Sequence, residues 1–132
     1  RMPRPKATRP TDRELEILQI LWERGNCTAK DIHEVLNKRS KTAYNTVQTI
    51  LIIMLEKKLV TRDDSAKSHV FSAKYSKEAM ETRLVKTFMD TVFGGSAMRL
   101  VTRALSLKAT SKEDKEKIRQ ALERGKGYEE PD

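Results

Sequence analysis

Thr42-Ala-Tyr-Asn-Thr-Val-Gln-Thr-Ile-Leu-Ile-Ile-Met-Leu-Glu-Lys-Lys58 is the stretch around which the chain is organised. Val47, Ile50, Leu51, Met54 and Leu55 recur at spacings of three and four, the period of a helix with one buried stripe. The start of the same helix carries Asn45, Thr46, Gln48 and Thr49. These short or forked side chains can reach base edges and phosphates. An apolar-backed helix with an uncharged polar tip, in a basic protein, suits a DNA groove. The competing reading is an ordinary amphipathic core helix.

The flanking sequence favours the first reading. Thr11-Asp-Arg-Glu14 is a capping box that predicts a helix over about 12–24, with Leu15, Leu18 and Trp22 on one face and Ile17 and Leu21 beside it. Gly25 closes it in the left-handed conformation. Thr28 and Asp31 repeat the box, and Ile32, Val35 and Leu36 predict a short helix over about 29–37. A polar, basic turn follows, Asn37-Lys-Arg-Ser-Lys41. Three helices with a tight connection before the third give the order of a helix-turn-helix, whose second element enters the major groove. Leu59-Val-Thr-Arg62 and His69-Val-Phe-Ser-Ala73 are β-prone runs around Asp63-Asp-Ser-Ala-Lys-Ser68, which predicts a hairpin with a polar tip. The expected fold is mainly α with a small β-wing: an N-terminal winged helix-turn-helix over 11–75.

Ser76 is placed to cap a helix over about 77–93, in which Met80, Leu84, Phe88 and Val92 step by four, with Val85, Met89 and Phe93 beside them. Gly94-Gly95 ends it. Met98, Val101 and Leu105 mark a helix from about Ser96 to Ser106, and Ile118, Ala121 and Leu122 a last one that starts at Ser111. Fifty residues cannot bury these stripes alone. Residues 76–124 therefore read as a C-terminal helical dimerisation domain, with Leu84, Phe88, Val92, Phe93, Met98, Val101, Leu105, Ile118 and Leu122 in the interface; the alternative is packing onto the N-terminal half. Residues 1–10, with three prolines and four basic residues, read as a flexible arm, and 125–132 as a frayed tail. Met2 fits a natural start, with Arg1 left over ahead of it.

Composition sets the partner class. The 132 residues are 37% hydrophobic and 35% charged, with a formal net charge of +8. Residues 1–75 hold 15 Lys and Arg against 9 Asp and Glu, and the remainder 12 against 10. The excess lies on the half with the opening helix, which favours nucleic acid first and an acidic membrane surface second. The longest apolar run, Ile50 to Leu55, is too short to span a bilayer, and no apolar signal core opens the chain, so a cytoplasmic protein is the simplest expectation.

Enzyme readings find little support. His33 and His69 lie in different elements and outside any HExxH or Cys/His cluster. Asp63-Asp64 at a hairpin tip are turn formers before they are metal ligands. The single cysteine, Cys27, excludes an internal disulfide and reads as a small buried hydrophobe rather than a redox sensor. No catalytic residue, metal site or cofactor is expected. For DNA, the amides of Asn45 and Gln48 match the paired donor and acceptor of adenine, a contact worth roughly 1–3 kcal/mol of discrimination. Thr46 and Thr49 can donate to phosphate or touch a thymine methyl. Thr42 and Tyr44 join them at the start of the helix, and Lys41 and Lys67 are placed for phosphates on the turn and the wing.

Ala43-Tyr-Asn-Thr-Val-Gln-Thr-Ile-Leu51, the early Leu21-Trp22 and the wing ending in Val70-Phe71 resemble the penicillinase-repressor family, which includes the methicillin-resistance and copper-responsive repressors. The resemblance runs from about Thr11 to Glu123. It implies a dimeric repressor on a palindromic operator, with double-stranded DNA, a second copy and an upstream sensor or protease as partners. Carried over, Asn45, Thr46, Gln48 and Thr49 fall at recognition-helix positions. Several features depart from the family pattern. Ile53 stands for a usual Arg, Lys58 for a Gly at the helix end, and Ala66 for a Gly of the wing tip. Arg103-Ala104 stands where penicillinase repressors carry an Asn-Phe or Ser-Phe pair that is cut on release, which argues against that route here. The paired Cys-X-Cys motifs of copper-responsive members are missing from the sequence. The reading from a different class is a winged-helix protein-interaction module, favoured by Ile52 and Ile53 off the core stripe; a metal- or redox-gated sensor using Cys27 and His33 is a third.

Overall fold

The computed structural model describes residues 9–124. The greater part of the basic arm, with Met2, and the tail at 125–132 lie outside the described residues. Among the described residues nine elements follow in order: α1 (Asp12–Arg24), β1 (Cys27–Thr28), α2 (Ala29–Arg39), α3 (Tyr44–Glu56), β2 (Val60–Asp63), β3 (Val70–Ala73), α4 (Lys77–Thr91), α5 (Ala97–Leu105) and α6 (Lys112–Glu123). The chain divides into two compact units after Lys77.

In the first unit, local chemistry starts each of the first two helices. The Thr11 hydroxyl accepts the Glu14 N–H at 3.2 Å, and the Glu14 carboxylate accepts the Thr11 N–H at 2.9 Å. Thr28 and Asp31 repeat the exchange for α2, which runs two residues past its expected end. Gly25 ends α1 at φ 82° and ψ −155°, a region open essentially to glycine but not the left-handed helical one expected. Ile17, Leu18, Ile20 and Leu21 are the buried hydrophobic residues of α1; Leu15 and Trp22 are only half-buried, so the stripe is turned toward Ile20.

The core is completed by Ile32 and Leu36 of α2 and by Val47, Leu51 and Met54 of α3, all essentially without exposure. Ile50 and Leu55 border this stripe and are half-buried. The sheet has the order β1-β3-β2 and is antiparallel throughout. The hairpin strands each begin one residue later than their sequence suggests. Register pairs Val60 with Ala73 and Asp63 with Val70, leaving 64–69 as the wing tip. A third strand, β1, pairs Cys27 with Phe71 and Thr28 with Val70. Thr28 is thus both the last strand residue and the cap of α2. The indole N–H of Trp22 donates to the Tyr75 carbonyl at 3.0 Å, tying the chain after the wing to α1.

The second unit is built differently. Ser96 and Ser111 cap α5 and α6 through the N–H groups of Arg99 and Asp114. Gly94 and Gly95, at φ 58° and 81°, turn the chain after α4, which stops at Thr91. Met80 is the buried residue of α4, and neither α5 nor α6 has one. Large apolar side chains stay in solvent instead, among them Val92 at 59% and Met98 at 76% exposure.

Candidate nucleic-acid interface

Burial of Val47, Leu51 and Met54 fixes which face of α3 looks outward. That face carries Tyr44, Asn45, Thr46, Gln48 and Thr49, all exposed, and then Ile52 and Ile53. The hydroxyl of Thr49 donates to the Asn45 carbonyl at 3.0 Å, so its proton is used within the helix. The ring of Tyr44 meets that of His33 edge-on at 5.6 Å. Ala43 caps α3 without a side-chain hydrogen bond, whereas Thr11, Thr28, Ser96 and Ser111 supply hydroxyls to α1, α2, α5 and α6.

A cleft of about 410 Å³ separates α3 from the wing. Tyr44, Gln48 and Ile52 form one wall, and Arg62, Lys67 and His69 the other, with Lys30 at the start of α2. Of the residues assigned to DNA from sequence, Tyr44, Gln48 and Lys67 line this cleft. Asn45, Thr46 and Thr49 lie on the exposed side of the same helix, and Lys41 is exposed on the turn. Thr42 does not join them. It is 5% exposed, and its hydroxyl accepts from Arg13 Nη2 at 2.9 Å and donates to the Ser40 carbonyl at 2.6 Å. Its polarity serves the interior.

Lys30, Arg62 and His69 are members of the cleft that sequence reasoning missed. Their charge was visible, but only the fold of the hairpin against α2 and α3 brings them to one groove. Asp64 moderates the wing: its carboxylate lies 2.7 Å from Arg62 Nε and 3.7 Å from His69 Nδ1. Asp63 accepts the Ser65 N–H at 2.9 Å, the turn-forming role expected of it, and this bond holds its carboxyl below the usual carboxylate range.

The two residues of the metal or redox reading, His33 and Cys27, each have surroundings of their own. His33 Nε2 lies 2.7 Å from the Thr42 carbonyl and donates to it. Cys27 is buried, and its thiol is pushed up by that burial and by Asp31, with Arg24 opposing. No group of three or more His, Cys, Asp or Glu side chains that could hold a metal occurs among the described residues. Nor is any described helix long and apolar enough to cross a membrane.

The family model described as penicillinase repressor matches residues 10–124. The chain belongs to the penicillinase repressor family. The members of the family are transcriptional repressors, not enzymes. The penicillinase repressor of Staphylococcus aureus is 20% identical over 109 residues, 83% of this chain and 86% of that protein. The one from Bacillus licheniformis is 21% identical, over 88% of this chain and 91% of its own length. The transcriptional regulator BlaI of Mycobacterium tuberculosis H37Rv is 30% identical over 61% of this chain and 59% of its own. The solved DNA-binding domain of the repressor BlaI aligns with a TM-score of 0.49 and 21% identity, over 55% of this chain and 88% of that one.

Two of the positions that the resemblance singled out, Lys58 and Ile53, lie in or just after α3. Lys58 adopts φ 62°. The N–H of Leu59 reaches the Met54 carbonyl at 2.9 Å and that of Lys58 the Leu55 carbonyl at 3.1 Å, so the helix ends as it would with glycine. Ile53 is 38% exposed.

The residues assigned to dimerisation all lie in α4, α5, α6 and the turn after α4. Phe88, Val92, Met98, Val101 and Leu122 are exposed, and Leu84, Phe93, Leu105 and Ile118 half-buried. Val92, Phe93 and Met98 share one depression with Arg99, Thr102 and Arg103.

Proposed function

We propose that the chain is a homodimeric winged-helix repressor that occupies a palindromic operator and blocks transcription. The observation that carries it is the division of α3: buried Val47, Leu51 and Met54 hold the helix down while Asn45, Thr46, Gln48 and Thr49 face solvent beside a wing that brings Arg62 and Lys67 to the cleft. In this reading the α3 tip reads bases, and Lys30, Lys41, Arg62 and Lys67 engage phosphates and set register. The exposed apolar residues of α4 and α5 support the dimer: a face this large costs free energy in water and is covered by a second copy. Two-fold symmetry then sets half-sites one turn apart, roughly 34–36 Å, or a multiple of it. Its partners are operator DNA, the second copy and an upstream sensor or protease that lifts repression; its place is the cytoplasm.

The test is a band-shift titration with the DNA upstream of the chain's own gene against random DNA, over a salt series. Cognate DNA should bind at least about a thousandfold more tightly than random DNA, and both affinities should fall steeply with salt through counterion release. Exposure of Ile52 and Ile53, at 55% and 38%, favours the other reading, a protein-docking module. Equal, weak binding to both DNAs would decide for that one.

A further inference from the structure

The turn that launches α3 is fastened more heavily than a connection requires. Each polar group of buried Thr42 is engaged. Its N–H donates to Asn37 Oδ1 at 2.9 Å, and its carbonyl accepts from His33 Nε2 at 2.7 Å. Its hydroxyl donates to the Ser40 carbonyl at 2.6 Å and accepts from Arg13 Nη2 at 2.9 Å. Asn37 and His33 belong to α2, and Arg13 to the first turn of α1. At the other end of α3, the capping residue Lys57 meets Glu14, the neighbour of Arg13, at 2.8 Å. Adjacent side chains of α1 therefore hold both ends of the helix with the polar tip.

We propose that Arg13 is a positioning residue for base reading: through Thr42 it fixes the start of α3, while Glu14 fixes the end through Lys57. This inference rests on the function proposed above. Apolar packing is non-directional and allows a helix to slide or roll by a fraction of an ångström. Base-edge hydrogen bonds do not tolerate that, since they weaken steeply with distance and angle. Long lysine and arginine chains on phosphates do. Losing the lock should therefore cost cognate affinity and spare random-DNA affinity. The competing role for Arg13 is a phosphate contact of its own, because its side chain is partly exposed and lies 3.6 Å from Glu16 on the surface of α1.

The experiment compares Arg13→Gln, Thr42→Val, their double variant and Thr42→Ser on cognate and random DNA across salt, using the full chain. Arg13→Gln should weaken cognate binding about three- to tenfold, the worth of one net hydrogen bond, and Thr42→Val at least as much, since it also removes the bond to the Ser40 carbonyl. Random-DNA affinity and salt slope should stay unchanged. The double variant should lose no more than Thr42→Val alone, because that substitution already removes the Arg13 bond. Thr42→Ser keeps the hydroxyl and should retain discrimination. A fall on random DNA in step with cognate DNA, with the salt slope reduced by about one, would make Arg13 a phosphate contact and overturn the proposal. Additive losses would overturn it too. Should Thr42→Val lose its helical circular dichroism, Arg13→Gln decides alone, since it alters a partly exposed surface residue. A wild-type chain without cognate preference would instead defeat the proposed function, and this inference with it.

Discussion

Glu14 and Lys57, 43 residues apart in sequence, form a buried ion pair with Nζ 2.8 Å from Oε1. Their side chains are only 4% and 9% exposed. The same carboxylate oxygen accepts the Thr11 N–H at 2.9 Å, and the ammonium lies 3.4 Å from the Arg9 carbonyl. One glutamate therefore caps α1 and anchors the end of α3. Removing one partner of such a pair strands a desolvated charge. Lys57→Met should destabilise the first unit by about 3 kcal/mol. Pairing it with Glu14→Gln, which keeps a capping side chain, should recover most of that loss. Urea unfolding of the wild type and the two variants measures both numbers. A double variant as unstable as Lys57→Met would mean that the charge pairing is not what matters.

Lys58 stands at φ 62°, where a Cβ is penalised and glycine is not. The side chain is exposed, so its removal gives up little packing. Lys58→Gly should stabilise the chain by about 1 kcal/mol and raise the unfolding midpoint by about 4–8 °C. Thermal melts followed by circular dichroism test this. A midpoint that stays put or falls would show that the helix end gains nothing from glycine.

These two sites show what the sequence carries and what it does not. The capping boxes at Thr11 and Thr28 were legible because a box is a local bargain between residues three apart. At Lys58 the residue type gave no sign of the left-handed conformation, and only the resemblance, which puts a glycine there, pointed to the helix end. β1 was not: two residues have no periodicity, and Cys27-Thr28 becomes a strand only through pairing with Phe71 and Val70. Thr42 shows the limit for the site. A threonine just before a helix with a polar tip has the chemistry of a reader and of a lock, and only its burial separates the two. For Lys30, Arg62 and His69 the residue type was visible and the shared cleft was not, because it comes from long-range packing.

Gln48 lines the cleft from the α3 side, and its amide can present a donor and an acceptor together. Gln48→Ala should weaken cognate binding by about 1–3 kcal/mol and leave random-DNA affinity as it was. Fluorescence anisotropy with both DNAs separates the terms. Equal losses on both would place Gln48 on phosphate or in structural support.

Val92 and Met98 are 59% and 76% exposed and flank the same depression in the second unit. If a second copy covers them, Val92→Asp and Met98→Asp each bring a charge into a desolvated interface, at a cost of several kcal/mol. Sedimentation should then find monomers at concentrations where the wild type is dimeric. Helical content should hardly change, because exposed positions tolerate the substitution. Operator affinity should drop steeply with the loss of the second half-site. Unchanged dimers would remove these two residues from the interface.

Ala43 gives the sharpest separation between stability and function. It leaves α3 without a side-chain cap, although the polypeptide uses hydroxyl caps on α1, α2, α5 and α6. An aspartate there would supply the missing acceptor and a charge that suits the helix dipole, adding about 1 kcal/mol of stability. In the proposed binding mode the same carboxylate would sit at the end of the helix turned to DNA and repel phosphates, whose attraction to backbone N–H groups at a helix start it would replace. Ala43→Asp should therefore raise the unfolding midpoint while weakening binding to cognate and random DNA alike, most at low salt, where screening is least. Ala43→Ser supplies a neutral cap and should raise stability with a smaller loss of affinity. If Ala43→Asp gained stability and bound DNA as tightly as the wild type, the start of α3 would have to face away from the phosphates.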